Sequence, residues 1–147
     1  GHGNAISQAY NHTVLPLCNE RDRRTQIRWG LADFVHRFGR EPEAMWLPET
    51  ACNDHVLGLL IDERLRFVIL APQQAARVRT GTRGIPACHT HADSQSSEPE
   101  ANGWQSVSAN SIAPIDTSVP YRYFHRDGSG RSIAVFFYDQ ELARGIA

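Results

Sequence analysis

The order of the sequence patterns predicts an α/β fold built on a parallel sheet. In the first half of the chain a helical pattern, a short apolar run, a second helical pattern and a second apolar run follow one another. The second apolar run, residues 66–70, contains Phe-Val-Ile-Leu without polar alternation, which is typical of a strand covered on both faces. Chemistry in such sheets sits at the carboxyl ends of the strands, so we expect functional residues there.

The first regular element is predicted to be a helix over about residues 25–38. Residues 1–18 are expected to form a loop or a short element, because Pro16 breaks a helix there. Five apolar residues then share one helical face: Ile27, Leu31, Phe34, Val35 and Phe38. Gly39 supplies the usual C-terminal stop. Three residues can each cap the start, and the sequence does not choose between them: Asn19, Asp22 and Thr25.

The next segment predicts strand, helix and strand in succession. Residues 43–47 form a short buried strand that ends at Pro48 and Glu49. Asn53 is the expected N-cap of a helix that runs to about residue 64. The apolar run over residues 66–70 is the second strand, and residues 73–79 are expected to add a helical turn or two.

The last third of the chain predicts a loop, a hairpin and a helix. Residues 80–103 are rich in Gly, Thr, Pro, Ser and acidic side chains, which predicts a long polar loop. Residues 121–125 and 132–138 flank a turn with two glycines, as expected of a β-hairpin. A helix is expected to begin after Asp139.

Composition limits the class of protein. With 147 residues, 41% of them apolar, the chain is long enough for one globular domain. The 15 basic and 16 acidic side chains are balanced, which argues against nucleic acid or an anionic membrane as a partner. Three cysteines, which match no disulfide framework, indicate a reducing and therefore cytoplasmic compartment. Because the chain begins with Gly and its sole methionine is Met45, we expect it to be cut from a longer protein.

Two groups of residues are candidates for carbohydrate chemistry. Trp46 can stack on the apolar face of a sugar, and Glu49 can act as nucleophile, base or metal ligand. The alternative is a core Trp46 and a Glu49 that caps a helix or pairs with an arginine. His2, Asn4 and His12 carry imidazole and amide groups that suit hydroxyl recognition. The alternative for them is an expression remnant at His2 and an ordinary histidine at His12.

A metal site is not expected. Residues 88–91 read Cys-His-Thr-His and contain zinc-ligand types, but their spacing matches no common zinc motif and a solvated loop is favoured. We therefore predict no metal and no cofactor.

Longer stretches of the chain resemble glycoside hydrolase family 57. The resemblance rests on Gly-His-Gly-Asn-Ala-Ile-Ser-Gln-Ala-Tyr-Asn-His at residues 1–12 and Met-Trp-Leu-Pro-Glu-Thr at residues 45–50. It continues through residues 67–75 and 130–139. The chain is most similar to the bacterial α-amylase or α-mannosidase-like branch that carries an uncharacterised C-terminal domain.

The resemblance implies part of an incomplete (β/α)7 barrel, with residues 1–147 forming a partial catalytic domain. It implies a retaining hydrolase that acts on α-glucan or a related α-linked oligo- or polysaccharide, without a cofactor. Glu49 matches the family's nucleophile, while Trp46 and the segment around His12 fall in substrate-contacting motifs. His2 and Asn4 are expected to bind substrate beside them.

The chain also departs from the family pattern. The family's earlier His-rich motif is missing, and so is the later motif that supplies the general-acid Asp; Asp139 precedes the point where that acid is expected. Barrels of this general kind need about 250 residues. We therefore expect the isolated chain to be inactive, and to be either marginally stable or prone to associate. The remainder of the parent chain is its expected partner. Two alternatives are a non-catalytic carbohydrate-binding fragment and a metal-dependent carbohydrate deacetylase.

Overall fold

The computed structural model describes residues 3–79, 85–90, 103–107 and 115–146. These ranges contain one mixed sheet, three α-helices and short 3-10 turns at Leu15–Leu17, Pro48–Thr50 and Pro72–Gln74. In chain order the elements are β1 (Ser7–Gln8), α1 (Glu20–Phe38), β2 (Ala44–Trp46), α2 (Asp54–Asp62), β3 (Phe67–Leu70), β4 (Ala75–Arg79), β5 (Ala87–Thr90), β6 (Gln105–Ser106), β7 (Tyr121–Phe124), β8 (Ser132–Phe137) and α3 (Gln140–Ile146).

The sheet has a parallel half and a mixed half, in which β5 runs parallel to β7 and the other described pairs are antiparallel. Its strand order is β1-β2-β3-β8-β7-β5-β4-β6, and the first four strands run parallel. β7 is antiparallel to β8, as the hairpin prediction required. β4 is antiparallel to both β5 and β6. The α/β prediction is confirmed, and its parallel part holds for β1, β2, β3 and β8, whose carboxyl ends meet at one edge of the sheet.

Helix α1 begins earlier than its apolar face predicts. Of the three possible caps Asn19 is the one used, because its side chain accepts a hydrogen bond from the Asp22 amide at 2.9 Å. The first turn carries a buried Arg23 in place of an apolar residue, and its guanidinium donates to the carbonyls of Leu15 and Cys18 at 2.9 and 2.6 Å. Gly39 ends the helix as predicted, in the left-handed conformation with φ 65°.

Helix α2 follows the prediction closely. The Asn53 side chain accepts a hydrogen bond from the Val56 amide at 3.0 Å, which confirms it as the cap. The helix ends at Asp62, two residues before the predicted end. Arg64 then takes a left-handed conformation with φ 63°, so the chain reverses there into β3.

Two predictions for residues 73–103 are wrong where the structure describes them. Residues 75–79 form strand β4, preceded by a single 3-10 turn, where further helical turns were expected. Residues 87–90 form strand β5 inside the segment predicted as a continuous polar loop. Both strands exist because they pair with each other, and pairing between distant segments overrides weak local patterns. The remainder of the predicted loop up to residue 102 lies outside the described residues, apart from residues 85–86.

The two faces of the parallel half differ in burial. Val68 and Leu70 on β3 are buried, whereas Phe67 and Ile69 on the opposite face are half-buried. The expectation that residues 66–70 are covered on both faces is therefore wrong for the described chain. The buried face joins the main core, whose fully enclosed members include Leu15, Ile27, Met45, Leu57, Leu60, Val68 and Val135. Among the described helices none is both long enough and apolar enough to span a bilayer.

Candidate active site

A cavity of about 440 Å³ lies at the carboxyl edge of the parallel strands. It is lined by His12, Trp46, Glu49, Thr50, Ile69, Tyr138 and Ala143. His12 follows β1. Trp46 lies in β2, and Glu49 and Thr50 follow it. Ile69 lies in β3, and Tyr138 and Ala143 come after β8. Four separate chain segments therefore meet here because their strands are parallel neighbours, which is the edge where the sequence predicted the chemistry.

Glu49 occupies a strained turn directly after β2. Its φ is 56° and that of Thr50 is 51°, so two consecutive residues with side chains hold the left-handed conformation. Each such residue typically costs about 1–3 kcal/mol, and the cost is tolerated where surrounding structure enforces it. Here the Thr50 amide donates to the Leu47 carbonyl at 2.9 Å, and Leu47 and Thr50 are both buried. The turn leaves the Glu49 side chain 72% exposed and pointing away from the core.

His12 contacts the carboxylate of Glu49. Its Nε2 lies 3.1 Å from Glu49 Oε1. The segment before it is tied to α1, because the amides of Tyr10 and Asn11 donate to the main-chain and side-chain oxygens of Gln26 at 3.1 and 2.7 Å. The sequence predicted that His12 binds sugar hydroxyls. In the structure its side chain contacts Glu49.

Trp46 forms one wall of the cavity. In the register of the sheet it lies beside Ile69, which in turn lies beside Phe136, and the Trp46 side chain is half-buried. Trp46 also borders a second groove of about 830 Å³ that runs along β1 and the facing side of α1. The ring therefore borders two open cavities and is not an enclosed core residue.

The remaining predicted substrate residues are not brought to this cavity by the described chain. Asn4 lies before β1, at the opposite edge of the sheet from Glu49. Its flanking carbonyls, those of Gly3 and Ala5, accept hydrogen bonds from Arg40 at 3.1 and 2.8 Å, which holds the segment at that edge. His2 lies outside the described residues.

Two residues that the sequence argument did not assign do reach the same edge. Tyr138 lines the cavity, and its amide donates to the Leu70 carbonyl at 3.2 Å, which continues the pairing of β8 with β3. Asp139 follows directly and caps α3, since its Oδ1 accepts from the amides of Glu141 and Leu142 at 2.9 and 3.0 Å. The sequence feature that points to Tyr138 and Asp139 is their position at the end of a strongly apolar run.

Asp54 is a buried carboxylate with a structural role. Its Oδ1 accepts hydrogen bonds from Thr90 at 2.9 Å and Tyr123 at 2.7 Å, and its Oδ2 pairs with Arg126 at 2.8 Å. Its side chain is only 9% exposed. Asp54 thus ties the start of α2 to β5, to β7 and to the residues after β7, and these contacts account for its burial without a catalytic task.

The Cys-His-Thr-His segment does not assemble into a metal site within the described residues. Its last histidine, His91, lies outside them, and the part of the chain that the structure does describe holds no cluster of three or more His, Cys, Asp or Glu able to bind an ion. Burial raises the pKa of the Cys88 thiol to about 12 and lowers the pKa of His89. Cys88 on β5 is buried as part of the hydrophobic core.

Comparison with known proteins identifies the family. The family profile described as glycosyl hydrolase family 57 matches residues 1–147. No curated protein is significantly similar in sequence. Among solved structures the fold resembles a 4-alpha-glucanotransferase from Thermococcus litoralis, with a TM-score of 0.57 and 18% identity over 96% of this chain. It also resembles a branching enzyme from Thermococcus kodakaraensis crystallised with glucose, with a TM-score of 0.55 and 20% identity over 92% of this chain.

The chain spans only 17% and 23% of the length of these two enzymes. Its α/β architecture therefore corresponds to a portion of the (β/α)7 barrel of such enzymes. Because the family profile covers every residue, the chain belongs to glycosyl hydrolase family 57.

Proposed function

We propose that this chain is the part of a retaining α-glycosidase that carries the nucleophile, Glu49. The observation that carries the proposal is the position of Glu49: an exposed carboxylate on a strained turn at the carboxyl edge of parallel strands, beside a half-buried Trp46. The two similar enzymes are a glucanotransferase and a branching enzyme, so an α-linked glucan is the proposed substrate class. The saccharide is the proposed partner of this cavity.

The chemistry follows from the two-step mechanism of retaining enzymes. Glu49 attacks the anomeric carbon, the glycosidic bond breaks, and a second carboxyl group protonates the departing oxygen. The resulting glycosyl ester on Glu49 is released by water or by a sugar hydroxyl, with the second group now acting as base. Trp46 can stack on the sugar ring and keep the anomeric carbon near Glu49.

Asp139 is the proposed proton donor. The sequence placed that acid outside these residues, but the sheet order favours Asp139, because β2 and β8 both flank β3 and end at the same edge. Strands separated by one neighbour lie about 10 Å apart. Because Oδ1 of Asp139 accepts from the amides of α3, it is Oδ2 that would have to face Glu49 across this gap for the two carboxyl groups to approach the separation of about 5 to 5.5 Å that retaining enzymes use.

Two substitutions in the full-length protein test these assignments. Glu49→Gln keeps the size of the side chain and removes the nucleophile, so hydrolysis of maltooligosaccharides should disappear while the melting temperature is preserved. Trapping with a fluorinated glucosyl fluoride, followed by peptide mass spectrometry, should label the peptide that contains Glu49 in the wild type only. Near-normal turnover by Glu49→Gln would remove this residue from the mechanism.

Asp139→Asn separates proton donation from helix capping. Asparagine caps helices as well as aspartate does, so α3 should persist. We expect slow cleavage of maltooligosaccharides, and a nearly unchanged first-turnover burst of a good leaving group such as dinitrophenolate, which needs no proton. Equal activity of mutant and wild type on both substrates would place the acid elsewhere.

The binding-module alternative makes a different prediction. It is favoured by the open cavity and its half-buried wall at Trp46. Saturable binding of maltooligosaccharide by the full-length protein, without release of reducing sugar or transfer products, would support that alternative over the enzyme.

A further inference from the structure

We propose that His12 is a positioning residue that holds Oε1 of Glu49 and thereby makes Oε2 the attacking oxygen. This inference rests on the proposed function of Glu49 as nucleophile and deepens it. It differs from the role that the sequence suggested for His12, which was direct recognition of sugar hydroxyls.

The proposed role of Glu49 sets the direction of this hydrogen bond, because a carboxylate that acts as a nucleophile is ionised. His12 Nε2 lies 3.1 Å from Glu49 Oε1, and an ionised carboxylate can only accept. The hydrogen therefore sits on Nε2, in the neutral tautomer or in the imidazolium. In either form the imidazole restrains rotation of the carboxylate and engages one of its two oxygens.

Both partners project from anchored backbone. The His12 segment is tied to α1 through Tyr10 and Asn11, and just after it Leu15 is fully buried. Glu49 projects from the left-handed turn that Leu47 and Thr50 hold against the core. A contact between two anchored turns loses less conformational freedom than one between two mobile surface side chains.

The sheet register explains why these two turns meet. Gln8 lies opposite Trp46 in the parallel pairing of β1 with β2. His12 follows Gln8, and Glu49 follows Trp46, by similar numbers of residues, so both leave the edge of the sheet at about the same height. The contact is thus built by strand pairing.

The proposed role leaves the atoms of the reaction balanced. Oε2 forms the bond to the anomeric carbon as the glycosidic bond breaks, and the departing oxygen takes its proton from the general acid. His12 keeps its own proton throughout. Oε1 becomes the carbonyl oxygen of the ester and still accepts from Nε2, and when the ester is cleaved the carboxylate is restored in the same orientation.

The test compares His12→Phe with His12→Gln in the full-length protein. Phenylalanine keeps a flat ring and lacks the donor, whereas the glutamine amide nitrogen can occupy about the position of Nε2. The His12 side chain is 65% exposed, so both substitutions should fold. The measurements are kcat and KM for a maltooligosaccharide, the rate of glycosyl-enzyme formation in a quenched burst, and the melting temperature.

We expect His12→Phe to lower kcat and the burst rate by about 10- to 100-fold, the usual effect of a misplaced reacting group, with KM unchanged. His12→Gln should restore most of the loss, and neither variant should change the melting temperature. A raised KM with unchanged kcat in His12→Phe would overturn the proposal in favour of sugar contact. Equal rates for the two variants would overturn the donor role.

Glu49→Gln in the same burst assay keeps the two proposals distinguishable. Covalent glycosyl-enzyme in Glu49→Gln would contradict the assignment of the nucleophile itself. Its absence there, together with identical bursts in wild type, His12→Phe and His12→Gln, would leave the nucleophile in place and refute the positioning role alone.

Discussion

Gly30 lies where α1 passes closest to β1, and replacing it with alanine should separate the two elements. A Cβ at this position would come far closer to the Gln8 carbonyl oxygen than van der Waals contact allows, and it would lie 3.0 Å from the Gln8 carbonyl carbon and 3.2 Å from the Tyr10 amide nitrogen. All three neighbours are backbone atoms, so no side chain can rotate away. The strand or the helix must move.

The size of the effect follows from two opposing contributions. Alanine in the middle of a helix is favoured over glycine by about 1 kcal/mol. Overpacking a closed contact typically costs about 1–3 kcal/mol, and a clash with backbone belongs at the upper end. We therefore expect Gly30→Ala to lower the free energy of unfolding by about 2 kcal/mol. At this chain length that corresponds to a melting temperature lower by about 4–8 °C.

The same displacement should reach the candidate site. β1 leads into the His12 segment, and the Tyr10 amide that bonds Gln26 is one of the atoms the new methyl group approaches. Movement of β1 therefore shifts His12 relative to Glu49. We expect kcat on maltooligosaccharide to fall together with the melting temperature.

The assays are thermal unfolding of the 147-residue chain, followed by circular dichroism, and steady-state kinetics on the full-length protein. Gly145→Ala is the matched control, because Gly145 also lies in a helix and a Cβ there has no neighbour within 4 Å. That control should be as stable as the wild type or slightly more so. If Gly30→Ala were equally stable, the close approach of α1 to β1 would not be needed, and this reasoning would be refuted.

Two further predictions concern titration. Hydrogen bonds from Ser129 and Arg131 hold the pKa of Asp127 well below its usual range. The stability that Asp127 adds is therefore present at neutral pH. It is lost as the pH falls below about 4, because aspartates in the unfolded chain become protonated there. The difference in melting temperature between wild type and Asp127→Asn should therefore narrow as the pH is lowered from 6 to 2, whereas a constant difference would contradict the assignment. Burial raises the pKa of the Cys52 and Cys88 thiols to about 12. Iodoacetamide at pH 8 should therefore modify these two thiols only after the protein is unfolded in guanidinium. Rapid labelling of the native protein, detected by mass spectrometry, would show that the thiols are not protected.

Local signals predicted the helices well. Gly39 and Asn53 act through their own backbone and side chain, so their positions in the sequence were sufficient to place the end of α1 and the start of α2. The start of α1 was missed because Arg23 replaces an apolar residue on the inner side. Its buried guanidinium is satisfied by carbonyls of the preceding turn, and apolar periodicity cannot detect that arrangement.

Strands β4 and β5 could not be predicted from local pattern. β4 reads Ala-Ala-Arg-Val-Arg, and its stability depends on pairing with residues 87–90 and 105–106. The same limit applies to Asp54, which looked like an ordinary residue of a first helical turn. Its partners Thr90 and Tyr123 come from strands far along the chain.

The candidate site was predicted in part. Trp46 and Glu49 follow from the rule that chemistry lies at the carboxyl ends of parallel strands, together with the family resemblance. His12 and Asn4 both carry hydrogen-bonding side chains, so the sequence predicted the same substrate-binding role for both. The bounds of β1 separate them, because Asn4 precedes the strand and His12 follows it, which places them at opposite edges of the sheet.

The contact between His12 and Glu49 adds little to folding and can still matter for the reaction. Both side chains are exposed, by 65% and 72%, and exposed pairs of this kind are worth about 0–1 kcal/mol because water screens them. A sugar ring that stacks on Trp46 would cover this end of the cavity and exclude that water. The same hydrogen bond then acts at a lower effective dielectric constant and becomes stronger. The free chain should therefore tolerate the loss of His12 without unfolding, and under the proposed role the restraint on Glu49 would be strongest when substrate is bound.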